Sequence, residues 1–211
     1  MELTIQTFLR AISEIQERDY NIPPTILEIE ERNFRDDQYR TYENNFVTKL
    51  NENYAVLAAL KKIMEPKELN RQLQIPKNYI FTNNPLPGIK DGYEKLLHEL
   101  GDPSEQLEEL KFIPDFIIHK DQGDRDPLNQ KFIAEVKTER NLSYKKFVWD
   151  FFKLNIYMED LNYQTAAFLS VNTASDRIFE YVSNYVSNVG YYTRRVDSLY
   201  IINKRGFHND A

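Results

Sequence analysis

The sequence predicts an α/β domain: a mixed central β-sheet flanked by helices, with a helical extension at the N-terminal side. Two apolar, β-branched runs, residues 112–118 (Phe-Ile-Pro-Asp-Phe-Ile-Ile) and 132–138 (Phe-Ile-Ala-Glu-Val-Lys-Thr), read as buried strands. Residues 144–158 then carry apolar side chains at 147, 148, 151, 154 and 158, a helical period. A further apolar run, Thr165 to Val171, supplies the next strand and completes the alternation of strand and helix.

Taken in order, residues 3–17 set Leu3, Ile5, Phe8, Leu9, Ile12 and Ile15 near one helical face, and Pro23-Pro24 break the chain before a very acidic segment at 27–37. A long helix is expected over 38–64, its stripe made by Phe46, Val47, Leu50, Tyr54, Leu57, Leu60 and Ile63. Residues 65–90, rich in Pro, Asn and Lys, read as a connecting segment that could form a lid, a substrate-selecting arm or a dimer contact. A short helix follows at 90–100. After the strand at 165–171 come a helix at 175–189 and a last strand at 198–202. The chain divides into a helical N-terminal region, 1–88, that lends a helix to the core, and the core itself, 89–211. The Gly, Pro and Asn/Asp residues of 121–130 mark a loop between the first two strands, which should pair antiparallel. Its Asp121, Asp124 and Asp126 read as a solvated acidic turn, because the sixth-position glycine and the closing glutamate of a calcium loop are missing.

The chemistry lies in the charged residues that interrupt the two strand-like runs. Carboxylates in such surroundings are costly without a partner, and a bound cation is one partner that would serve. Side chains alternate along a strand, so Glu135 and Lys137 share a face, while the Val136 carbonyl is left free to face a metal held between the strands. Asp115 joins them if the register allows. One or two carboxylates, a backbone carbonyl and several waters suit Mg2+, and Lys137 would orient or help deprotonate one of those waters. An ion pair at the edge of a sheet is the plain structural alternative.

Pro114-Asp115 followed by Glu135-Val136-Lys137 resembles the PD-(D/E)xK nuclease superfamily, which includes restriction endonucleases and Holliday-junction resolvases. The resemblance covers about residues 105–175, and Asp150-Phe-Phe-Lys153-Leu154 looks like the D-x-x-K-L pattern that often opens the following helix in that family. It implies a restriction-endonuclease-like core. It also implies Mg2+ (Mn2+ able to substitute) held by Asp115, Glu135 and the Val136 carbonyl, with Lys137 placing the water for phosphodiester hydrolysis. Residues 42–50 resemble the Glu-bearing first helix of such a core, which makes Glu43 a further candidate ligand; helix 90–100, with Glu94 and Glu99, is a second source. Lys146 and Lys153 are candidate phosphate contacts.

Composition bounds the alternatives. The chain has no cysteine, three histidines and six scattered glycines, which leaves no thiolate zinc site, no multi-histidine centre, and neither a Walker A loop nor a G-x-G-x-x-G fingerprint. No run is long enough to cross a bilayer and the first residues lack a basic start, so the expectation is a soluble, cytoplasmic protein with no membrane partner. A net charge of −6 opposes binding of a polyanion as a whole. A local rim of Lys145, Lys146, Lys153, Arg194, Arg195, Lys204 and Arg205 could offset it. The expected partner is nucleic acid, with DNA first; RNA or a small nucleotide would fit the acidic surface better, and a homodimer or protein partner stays open. The rival from another class is a non-catalytic nuclease-fold module that binds a protein or nucleic acid.

Overall fold

The computed structural model describes residues 2–16, 20, 36–61, 69–70, 75–76, 88–101, 111–120 and 126–204. Among these the helices are α1 (Glu2–Ser13), α2 (Asp36–Lys61), α3 (Ile89–Glu99), α4 (Tyr144–Glu159) and α5 (Ser175–Asn188). The strands are β1 (Leu69–Asn70), β2 (Ile75–Pro76), β3 (Lys111–Phe112), β4 (Phe116–His119), β5 (Gln130–Lys137), β6 (Thr165–Val171) and β7 (Leu199–Lys204). The main sheet runs β1-β4-β5-β6-β7 and is mixed. β4 is antiparallel to β5, with Phe116 opposite Ala134, whereas β5, β6 and β7 are parallel. Parallel neighbours need crossover connections, and α4 and α5 supply them.

Burial on both faces explains the near-continuous apolar character of β6. One face carries Phe116, Ile118, Phe132, Ala134, Val136 and Leu169, covered by Phe8 of α1 and by Phe46, Leu50 and Tyr54 of α2. The Phe8 ring lies 5.0 Å from that of Phe116 and 4.7 Å from that of Phe132. The other face carries Ile117, Ile133, Ala166 and Phe168 under α3, α4 and α5. α4 is buried almost all round, from Phe147 to Met158, as expected of a helix that packs on a sheet and between neighbours. Ser143 starts it, its hydroxyl accepting from the Lys146 amide at 3.3 Å. Gly190, in the left-handed region at φ 65°, ends α5. Gly92 of α3 lets that helix close on the segment that follows α5: a Cβ there would stand 2.5 Å from the Cβ of Tyr191.

Most expected elements are present at shifted bounds, and the antiparallel pairing of the first two core strands is observed. The run 112–118, expected as one strand, is instead divided: Lys111–Phe112 is β3 in a separate two-stranded sheet, and β4 begins only at Phe116. α1 stops at Ser13, short of residue 17, where the serine hydroxyl turns back to the Arg10 carbonyl at 2.8 Å. The segment read as a plain connection contains two short strands. β1 pairs with β4 and gives the outer backbone of that strand a partner, and β2 pairs with β3, Pro76 opposite Lys111. The acidic segment 27–37 lies outside the described residues except for its last two positions, as do Asp121 and Asp124.

Candidate functional site

The site forms where β4 begins late. Pairing of β4 with β5 reaches only Phe116 and Ala134, so among the described residues no strand lies opposite the next main-chain groups of β5 on that side. Asp115 takes the place of the strand: its Oδ2 accepts from the Val136 amide at 2.7 Å. An extended residue turns its N–H and C=O to the same edge. The Val136 carbonyl accordingly points to this gap too, where it accepts from Lys137 Nζ at 3.1 Å.

Six charged side chains meet here. Lys137 Nζ lies 3.4 Å from both Glu43 carboxylate oxygens, 4.0 Å from Asp115 Oδ2 and 3.2 Å from Asp150 Oδ2. Lys153 Nζ lies 2.5 Å from Asp150 Oδ1 and 3.0 Å from Glu135 Oε1. The structure thus brings Glu43, Asp115, Glu135 and Lys137 into one cluster and adds Asp150, which joins the two lysines. Depth is graded. The Glu43 and Asp115 side chains are each 21% exposed and form the mouth, while Glu135 at 1% is sealed beneath α4.

Burial dominates the electrostatics. It pushes the Glu43 carboxyl up to about 7 against the pull of Lys137, with Asp115 and Asp150 adding to the rise. It also drives Glu135 well above the usual carboxylate range despite Lys153. Burial likewise opposes ionisation of Asp150, but Lys137 and Lys153 together outweigh it and hold that carboxyl below its ordinary value. The same carboxylates overcome burial at Lys137 and Lys153 and keep both ammonium groups charged. Glu135 Oε1 accepts no hydrogen bond among the described residues, its contact with Lys153 being one of charge without hydrogen-bond direction.

The exit from β5 is held by neighbouring main chain. Asn172, in the left-handed region at φ 74°, donates to the Thr138 carbonyl at 3.1 Å, and the Thr173 hydroxyl donates to the Glu139 carbonyl at 2.5 Å. Lys137 is thereby fixed at the base of the cluster.

Two proposed phosphate contacts are placed differently from each other. Lys146 pairs with Glu139 at 2.7 Å and stays partly exposed. Lys153 is buried and bound to Asp150 and Glu135, so it does not serve as a surface phosphate contact: α4 has no solvent face at that turn. The expected basic rim also loses Lys204, whose Nζ donates to the Ile12 and Ile15 carbonyls at 2.7 and 3.0 Å at the end of α1. Arg205 lies outside the described residues. The alternative glutamates on α3 are engaged elsewhere or turned out: Glu99 accepts from Asn188 at 2.9 Å and Glu94 is exposed.

The donor set is one a hard divalent cation takes, three carboxylates and a carbonyl. Among the described residues, however, no group of three His, Asp or Glu side chains closes on a single point as it stands, because the carboxylates are drawn onto the lysines. No helix among them is long and apolar enough to cross a membrane. The class that fold and site define is therefore an α/β domain with a buried lysine–carboxylate cluster at one end of a mixed sheet. Comparison of the chain with protein-family models, with curated proteins and with solved structures gives no match in any of the three.

Proposed function

We propose that this protein is a divalent-metal-dependent nuclease that hydrolyses phosphodiester bonds, DNA first among its substrates, through a PD-(D/E)xK site on a restriction-endonuclease-like core. The observation that carries the reading is a count of charge. Among the described residues four carboxylates meet two ammonium groups, so the cluster they form, fully ionised, stands two positive charges short of neutrality. Glu43 and Glu135 are the two carboxylates driven toward protonation, which is how the cluster closes the deficit with protons alone. The unbonded Oε1 of buried Glu135 is a second sign that the donor set is incomplete.

Asp115, Glu135 and the Val136 carbonyl, with Glu43 at the mouth, are the residues that would hold Mg2+ or Mn2+. Bound there, the ion would supply Lewis acidity and make a coordinated water easier to deprotonate. The protein does the rest. The Val136 amide fixes the Asp115 carboxylate, and Lys153, 3.0 Å from Glu135, opposes the protonation that burial drives there. Lys137, held at the base of the cluster, donates to the attacking water and offsets negative charge that builds on the phosphoryl oxygens.

A second reading, a non-catalytic nuclease-fold module, is favoured by the ammonium of Lys137 standing among the carboxylates. Labelled single-stranded DNA, duplex DNA and RNA, incubated with Mg2+ or Mn2+, decide between the two. Metal-dependent cutting by the wild-type chain that is lost in folded Lys137→Ala and Glu135→Gln is the expected result. Equal cutting by the variants, or none by the wild type on any substrate, would sink the nuclease reading. Preference for RNA over both DNAs would move the substrate and keep the chemistry.

A further inference from the structure

The acceptors around the Lys137 ammonium fall into two groups. Glu43, Asp115 and the Val136 carbonyl belong to the set through which a divalent ion would be held, and they face the ammonium at 3.1–4.0 Å. Asp150 belongs to α4 on the inner side, with one oxygen on Lys153 at 2.5 Å and the other on Lys137 at 3.2 Å. An ammonium and a divalent cation of like sign cannot share the outer three acceptors in a site this dry, where charges are poorly screened. Two buried atoms beside the cluster accept no hydrogen bond among the described residues: Glu135 Oε1, and the hydroxyl of Ser170, which stands next to Lys137 in the β5–β6 register. They leave acceptor capacity on the inner side of the ammonium.

We propose that Asp150 is a positioning residue that acts through Lys137: it anchors the ammonium on the inner side, so that the outer acceptors can release it and take a divalent ion. Lys137 is then a place-holder without metal and a water-directing group with it, and Asp150 sets the exchange between the two. The inference rests on the nuclease reading of the same cluster.

A double-mutant cycle on the full chain tests it, with the Mg2+ dissociation constant read by titration calorimetry. Asp150→Asn should weaken Mg2+ by about tenfold where Lys137 is present and by less than about twofold in a Lys137→Met background, because the penalty is the untethered ammonium. The same penalty in both backgrounds would show Asp150 acting as a ligand or by its field alone. That result overturns the inference and leaves the metal site standing. Absence of Mg2+ and Mn2+ binding by the wild type overturns the reading and the inference together. Should Lys137→Met fail to fold, lysine ammonium resonances of the wild type decide. Of two slowly exchanging signals, saturating Mg2+ should shift one and leave the other, that of Lys153, in place; two unmoved signals overturn the inference.

Discussion

Toward α1 and α2, β5 presents Phe132, Ala134 and Val136; toward α4, the same eight residues present Ile133, Glu135 and Lys137. From Phe132 onward one face is buried and wholly aromatic or aliphatic, and the other, largely buried too, gives way to ions at its last two positions. An apolar face gains stability by exclusion of water and close packing alone. An ionic face at the same depth must find partners for every charge, and removing one partner costs more there than the pair contributes. The contrast teaches which strand face is scaffold and which is site.

The comparison can be broken from either side. Phe132→Ala should cost about 4 kcal/mol in urea unfolding, by loss of a buried ring that touches Phe8 and Phe116, with no change in Mg2+ affinity of the remaining folded protein. A shift in affinity would mean the scaffold face also shapes the site. Lys153→Met should cost about 3 kcal/mol at pH 8 by removing an ammonium that holds buried Asp150 ionised, and the added change Asp150→Asn should restore most of that loss. If the double variant is as unstable as the single one, Lys153 matters through packing and the ionic account of this face fails.

Smaller effects sharpen the contrast. Glu43 has a folded-state value near 7 against an ordinary 4.5, so between those values the folded protein holds more protons than the unfolded chain. Stability should therefore fall as pH rises from 4.5 to 7 and level off above, by about 3 kcal/mol in all relative to Glu43→Gln. Parallel stability–pH curves for the two proteins would refute that assignment. Last, Lys146→Ala removes a partly exposed pair with Glu139 and should change stability by less than about 0.5 kcal/mol. Weaker binding of labelled DNA to a stable Lys146→Ala variant would assign that lysine to phosphate.

Much of the scaffold could be read from the chain. β6 begins and ends where its apolar run does, and α4 keeps the bounds of its periodic segment to one residue. Asp115, Glu135 and Lys137 stand out because each is a charge in a strand-like run, and alternation alone places the last two on one face. The short strands β1 and β2 were hidden because two residues carry no period, and Pro76 argues against a strand until the edge position is known. Asp150 has no role and Lys153 the wrong one in the sequence reading, for a different reason. An isolated lysine on a helix is usually solvated, but Phe147, Val148, Phe151, Phe152, Leu154 and Ile156 point in too many directions for one stripe. A helix apolar all round has no solvent face, so a carboxylate and a lysine three residues apart within it must be buried together. That pattern was the available signal.

Val136 enters the site through its main chain while its side chain lies in the aromatic face, the amide binding Asp115 and the carbonyl binding Lys137. Truncating that side chain leaves both groups in place, so an alanine scan would score residue 136 as a packing position and miss its share in the chemistry. Such a contribution is also hidden from drift in sequence: any residue that keeps an N–H and an extended backbone can stand there, and relatives of this chain need share nothing at the position except its place in the strand.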